Sequence, residues 1–194
     1  MQDLKISFVQ LETVWHDIQG NLNRLDELLQ KVPSESQLLI FPETFTTGFT
    51  MEPEKWSEKM DGKAVTWMLR KAKELSMVLG GSLIIEDEGQ YYNRFVFTHP
   101  DGSTQHYNKR HLFSLAGEDN EYSAGNQNIT VNVGGWKIRP QICYDLRFPV
   151  WSKNTDGYDL LLYSANWPAK RIEHWRKLAM ARAIENQCYV LAVN

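Results

Sequence analysis

Apolar and polar positions alternate along this chain in two periods, and they divide it into helices and strands by turns. Gly20 to Lys31 carries Leu22, Leu25, Leu28 and Leu29 at helical spacing, so one face is apolar and the other charged. Ala64 to Met77 repeats the pattern with Trp67, Met68, Ala72 and Leu75, and His174 to Glu185 reads as a third helix. Between these lie short apolar runs that predict strands: Lys5 to Leu11, Gln37 to Phe41, Asp159 to Ser164 and Gln187 to Val193. Leu79 to Glu86 and Tyr91 to Thr98 predict a hairpin around Asp87-Glu88-Gly89-Gln90. The turn signal Pro100-Asp101-Gly102-Ser103 then leads into a strand at Thr104 to Tyr107. Ile129 to Val133 and Trp136 to Ile142 flank Gly134-Gly135, a dipeptide suited to a tight hairpin turn. Helix–strand alternation mixed with hairpins predicts an α/β protein that is not a plain doubly wound sheet.

Composition narrows the class. A chain of 194 residues suits one domain, residues 1–194, with a substantial core. The charge balance of 21 − 24 = −3 lacks the basic surplus of a nucleic-acid binder, so no nucleic-acid partner is expected. No apolar run approaches the roughly 20 residues of a membrane span, and no membrane partner is expected. Met1 to Ile6 leads straight into a strand without a signal peptide's apolar stretch. Two cysteines make no disulfide framework, so a reducing, cytoplasmic setting is expected. The five histidines lack metal-ligand spacing, and neither a metal nor a cofactor is predicted.

Three segments carry candidate chemistry. The strand Trp136 to Ile142 delivers Cys143 into the polar Tyr144-Asp145-Leu146-Arg147, which could open a helix. A thiol at such a junction can meet substrate and have its pKa lowered by backbone N–H groups and cations, as a nucleophile requires. A buried core cysteine is the competing reading, since free Cys is among the most buried residues. Cys188, in an apolar strand-like run, reads as core. Leu38 to Phe41 runs through Pro42 into Glu43, and Lys109 follows another strand; singly, either charge could be a solvated surface residue.

Together the three segments resemble the nitrilase superfamily of carbon–nitrogen hydrolases, whose signature is a Glu-Lys-Cys triad. Phe41-Pro42-Glu43 through Gly48-Phe49 matches the glutamate motif, Tyr107 to Phe113 the lysine motif, and Cys143 to Pro149 the nucleophile motif. Glu118, seven residues before Gly125, fits the place of a second glutamate. The resemblance runs from about Lys5 to Asn194. Asn93-Arg94-Phe95, Ala165 to Pro168 and Ala181 to Gln187 look most like the bacterial omega-amidase branch.

The resemblance implies an α-β-β-α four-layer sandwich, a homodimer through the helices after Cys143 and at His174 to Glu185, and a small 2-oxo acid amide as substrate. It also implies that family chains continue past the position of Asn194, so the C-terminal strands of the fold are expected to be absent. Amide hydrolysis needs a nucleophile, a proton shuttle and an oxyanion donor, here expected of Cys143, Glu43 and Lys109. Glu118 would orient Lys109 or hold the substrate or water, and the Tyr144 N–H would be a second oxyanion donor. Phe49 and Trp167 would wall the pocket and Arg171 would clamp the substrate carboxylate. Arg147 reads as a structural partner of Asp145 or another acid, and His111 as support for the lysine loop. The rival readings are a hydrolase of another amide, nitrile or N-carbamoyl compound, a non-catalytic interaction subunit, and a Cys-His enzyme using His111 or His174.

Overall fold

A computed structural model describes residues 2–194 and shows two β-sheets stacked between helices. In chain order its elements are β1 (Ile6–Phe8), α1 (Ile18–Leu29), β2 (Leu38–Ile40), α2 (Pro53–Trp56), α3 (Lys63–Leu75), β3 (Val78–Asp87), β4 (Gln90–Thr98), β5 (Thr104–Asn108), α4 (Glu118–Glu121), β6 (Val131–Val133), β7 (Trp136–Ile142), α5 (Pro149–Ser152), β8 (Leu160–Ser164), α6 (Ile172–Asn186) and β9 (Tyr189–Val193). One sheet runs β1-β2-β3-β4-β5, the other β6-β7-β8-β9. Strands β1, β2 and β3 are parallel, β4 reverses, and β5 reverses again, so β5 ends at the same edge as β2. In the second sheet β7, β8 and β9 are parallel and β6 is antiparallel to β7.

Side-chain alternation assigns the layers, because successive strand residues face opposite sides. Leu39 and Leu79 join Leu22, Leu25 and Leu29 of α1 and Val65, Met68 and Ala72 of α3 in one core outside the first sheet. Their neighbours Leu38 and Ile40 face inward, against Ile138, Ile142, Leu160 and Leu162 of the second sheet. On the far side of that sheet Leu161 and Tyr163 meet Trp175 of α6. The order is therefore helices, sheet, sheet, helix, the predicted α-β-β-α sandwich.

Most element boundaries lie within two residues of the sequence expectation, and the departures have local causes. The first strand is three residues rather than seven, because beyond Phe8 only the Val9 N–H still bonds to β2, at the Ile40 carbonyl. The segment after Cys143 is a 3-10 turn over Cys143–Arg147, followed by the four-residue α5 that starts on Pro149. Asp17 caps α1, its carboxylate accepting the Gly20 N–H at 2.9 Å. Gly134 and Gly135 both take positive φ, +59° and +86°, as a two-residue hairpin turn demands. Cys188 is half-buried at the edge of the core under α6, where a core position was expected. Among the described residues no helix is long and apolar enough to cross a membrane.

Candidate active site

The candidate residues sit at the C-terminal ends of strands from both sheets. Glu43 lies three residues past β2, Lys109 directly after β5, Cys143 directly after β7, and Asn166 two past β8. Ligand sites in parallel sheets favour this edge, where loops can converge without breaking the ladders.

Burial and hydrogen bonding then fix three charges against one another. Lys109 is fully buried, and its Nζ donates to Glu43 Oε1 at 2.9 Å and to both oxygens of Glu118 at 2.9 Å. Asn93 Nδ2 donates to Glu43 at 2.8 Å and to Glu118 at 3.3 Å. The Asn166 N–H donates to Glu43 Oε2 at 2.7 Å, and the Phe113 N–H to Glu118 Oε2 at 2.6 Å. A buried ionised carboxylate is tolerable only with its lone pairs satisfied in this way. Asn93 is in turn held by Ser82, whose hydroxyl donates to its Oδ1 at 2.9 Å.

The electrostatics follow from burial and these partners. Desolvation by itself would lower the Lys109 ammonium, but the Glu43 and Glu118 carboxylates outweigh it and its pKa is raised. Burial pushes Glu118 above the usual carboxylate value, reinforced by Glu43 and opposed by Lys109. The Cys143 thiol is pushed well up, first by burial and then by the negative charge of Glu43, with Lys109 pulling the other way. This corrects the expectation of a lowered thiol pKa: burial and the Glu43 carboxylate push it the other way.

Cys143 has φ +43° and Thr44, next to Glu43, has φ +44°. Left-handed backbone is strained for any residue with a Cβ and more so for a β-branched one, at about 1–3 kcal/mol each. Such strain persists only where the surroundings over-determine it, and functional sites are where it collects.

A cavity of about 220 Å³ opens over this cluster. Glu43, Lys109, Cys143 and Tyr144 line it, and Phe49, Trp167 and Arg171 reach the same space, so every sequence candidate except Glu118 meets at one cavity. Glu118 lies behind Lys109, off the cavity wall. The Lys109 ammonium is 5.1 Å from the centre of the Phe49 ring, and the Arg171 guanidinium is 5.3 Å from that of Phe113.

Arg147 departs from its expected place. Asp145 is occupied by other donors, and Arg147 instead lines the cavity, 4.9 Å from a Trp167 ring centre, its Nη2 3.1 Å from His174 Nδ1. Neither Arg147 nor Arg171 pairs with a carboxylate among the described residues. His111 Nδ1 hydrogen bonds to Asp145 and its ring stacks on Phe148, and no histidine lines the cavity. Sequence reasoning assigned no role to Asn93, Phe113 or Asn166, and gave Arg147 a structural rather than a cavity role. For Asn93 a signal existed: an uncharged polar residue inside a strand-like run, two before the apolar Phe95-Val96-Phe97.

The carbon-nitrogen hydrolase family model matches residues 5–194. The chain is 45% identical over 194 residues to omega-amidase YafV of Escherichia coli K12, covering 100% of this chain and 75% of that protein. It is 33% identical to the 2-oxoglutaramate amidase of Bacillus subtilis, covering 97% of this chain and 75% of the relative. The crystal structure of XC1258 from Xanthomonas campestris, a CN-hydrolase superfamily protein with an arsenic adduct in its active site, superposes with a TM-score of 0.95 at 43% identity. That match covers 99% of this chain and 76% of the other. A family model that spans nearly the whole described chain, and relatives of this identity and coverage, place the two stacked sheets and the site at their strand ends in one family: the chain belongs to the carbon–nitrogen hydrolase family.

Proposed function

We propose that this protein is an omega-amidase, which hydrolyses the terminal amide of 2-oxoglutaramate or 2-oxosuccinamate to the 2-oxo-dicarboxylate and ammonia. The observation that carries the reading is one cavity lined by Cys143, Glu43 and Lys109 together with two arginines that lack acidic partners. The names of the relatives support it.

In this mechanism Glu43 takes the proton from the Cys143 thiol as sulfur attacks the amide carbon. The raised thiol pKa makes that base necessary. The carbonyl oxygen gains negative charge beside the Lys109 ammonium and the Tyr144 N–H, and each such donor contributes about 3–4 kcal/mol to the transition state. Glu43 returns its proton to the nitrogen, the C–N bond breaks, and ammonia leaves a thioester on Cys143. Water then attacks the thioester while Glu43 accepts its proton; the C–S bond breaks, and that proton returns to sulfur. Glu118 keeps Lys109 charged and aimed. Arg171 and Arg147 hold the 2-oxo acid end through guanidinium–carboxylate hydrogen bonds, and Phe49 and Trp167 exclude water.

The homodimer belongs to the same proposal. Val150 of α5 and Met180 and Ile184 of α6 expose large apolar side chains, at 87%, 64% and 75%, along two helices that pack together. Both cysteines are free, which suits a reducing, cytoplasmic setting.

Ammonia release from 2-oxoglutaramate, with glutamine and a simple nitrile as competitors, tests the function. Turnover lost in Cys143→Ala is expected. A folded protein that releases no ammonia from 2-oxoglutaramate or 2-oxosuccinamate would exclude the assignment.

A further inference from the structure

Asp145 is fully buried, and its carboxylate accepts four hydrogen bonds that reach both arms of the site. Oδ2 accepts the Tyr107 hydroxyl at 2.7 Å and the Ile142 N–H at 3.0 Å. Oδ1 accepts the His111 N–H at 2.9 Å and lies 2.8 Å from His111 Nδ1. An ionised carboxylate only accepts, so Nδ1 carries the proton of that imidazole. Tyr107 and His111 stand two residues before and two after Lys109. Ile142 and Asp145 stand one before and two after Cys143. One side chain thus bolts the end of β5, in the first sheet, to the turn after β7, in the second.

The bond to Ile142 also closes the 3-10 turn from its start, where Cys143 is held at φ +43°. Removing it frees the strained residue to relax toward ordinary backbone. Tyr107 is itself fixed, since its oxygen also accepts the Trp151 indole N–H at 2.9 Å.

We propose that Asp145 is the positioning residue that sets Lys109 and Cys143 at their working separation. The inference rests on the assignment of those two residues as oxyanion donor and nucleophile. Asp145 touches neither the cavity nor any reacting atom, so its effect passes through geometry.

The test uses Asp145→Asn, which keeps the shape but turns one acceptor into a donor facing O–H and N–H groups. The folded variant is expected to keep KM within about twofold while kcat falls about 100-fold, the scale of a 1 Å misplacement. A paired readout excludes simple loss of stability. His111→Phe keeps the ring stack on Phe148 but loses the Nδ1 donor and should lower kcat. His111→Asn restores a donor at that reach and should recover most of it. Glu58→Gln removes a comparable carboxylate, one that caps α3 through the Ala64 and Val65 N–H groups, and should leave kcat unchanged. If Asp145→Asn does not fold, the His111 pair decides.

Wild-type kcat in folded Asp145→Asn, no difference between the two His111 variants, or an equal loss in Glu58→Gln would overturn the proposal. Should the wild type show no amidase activity, the function reading fails separately. The pH midpoint of Cys143 alkylation by iodoacetamide then decides: it moves in Asp145→Asn if Asp145 sets the spacing of thiol, ammonium and Glu43, and an unmoved midpoint overturns the inference.

Discussion

Glu43 is the side chain on which the site's charges converge, so its replacement separates two effects that usually travel together. Glu43→Gln removes the proposed base and should lower amide turnover by at least about 100-fold, the lower range of positioned proton transfer. The same change removes the negative charge that helps hold the Cys143 thiol up. Alkylation of Cys143 in Glu43→Gln should therefore titrate at lower pH than in the wild type, even as catalysis disappears. A midpoint that stays put or rises would contradict the charge arrangement. Lys109 gives a second pH signature. Its pKa is raised on folding, so the folded state holds the proton more tightly than the unfolded chain. That stabilisation is complete below the ordinary lysine value of 10.5 and declines as pH rises beyond it. The difference in unfolding free energy between wild type and Lys109→Met should stay level up to pH 10.5 and shrink above. That Glu43, Lys109 and Cys143 would meet at one cavity was legible in the sequence because the segments that carry them are contiguous motifs. Arg147 was misplaced because its partner was inferred from proximity along the chain, whereas Asp145 takes its hydrogen bonds from the lysine arm.

At the scale of elements, the loop from Lys109 to Gly125 is returned to β5 by its own backbone. The Gly125 N–H donates to the Lys109 carbonyl at 2.8 Å, and a Cβ on Gly125 would fall 2.2 Å from the Asn108 carbonyl oxygen. Gly125→Ala must push that strand end away, which costs about 1–3 kcal/mol as overpacking does. The expected result is a lower melting temperature and a reduced kcat together; an unchanged kcat would mean that Lys109 tolerates the shift. Strands and long helices were readable because periods of 2 and 3.6 need only five to a dozen residues to show themselves. The four-residue α2 and α4 offer one turn each, too little for a period, and α4 is the element that carries Glu118. Likewise the positive φ of Cys143 lies in a turn that Asp145 closes on the Ile142 N–H, and the carboxylate is held in turn by Tyr107 of β5, a distant contact that no local period encodes.

Across the whole molecule, α6 is apolar on more than its core side. Trp175 is buried against the second sheet while Met180 and Ile184 face outward. An oligomer that buries Met180 and Ile184 should sediment as a dimer and shift to monomer in Met180→Glu/Ile184→Glu; an unshifted dimer would place the interface elsewhere. The layer order was legible in the one-in, one-out alternation of Leu38, Leu39 and Ile40, and again in Leu160 to Tyr163. What joins the two sheets at the site was not, because it consists of polar contacts between distant segments: the Asn166 N–H on Glu43, the Glu43 N–H on the Ala165 carbonyl, and the Ser164 hydroxyl on the Phe41 carbonyl. Glu43 and Lys109 ride on one sheet and Cys143 on the other, so the geometry of the proposed triad works as a gauge of how the two sheets are registered. A slip too small to melt either one would still part base from thiol. Catalysis should therefore fall silent at urea concentrations where the far-ultraviolet dichroism of both sheets is still intact.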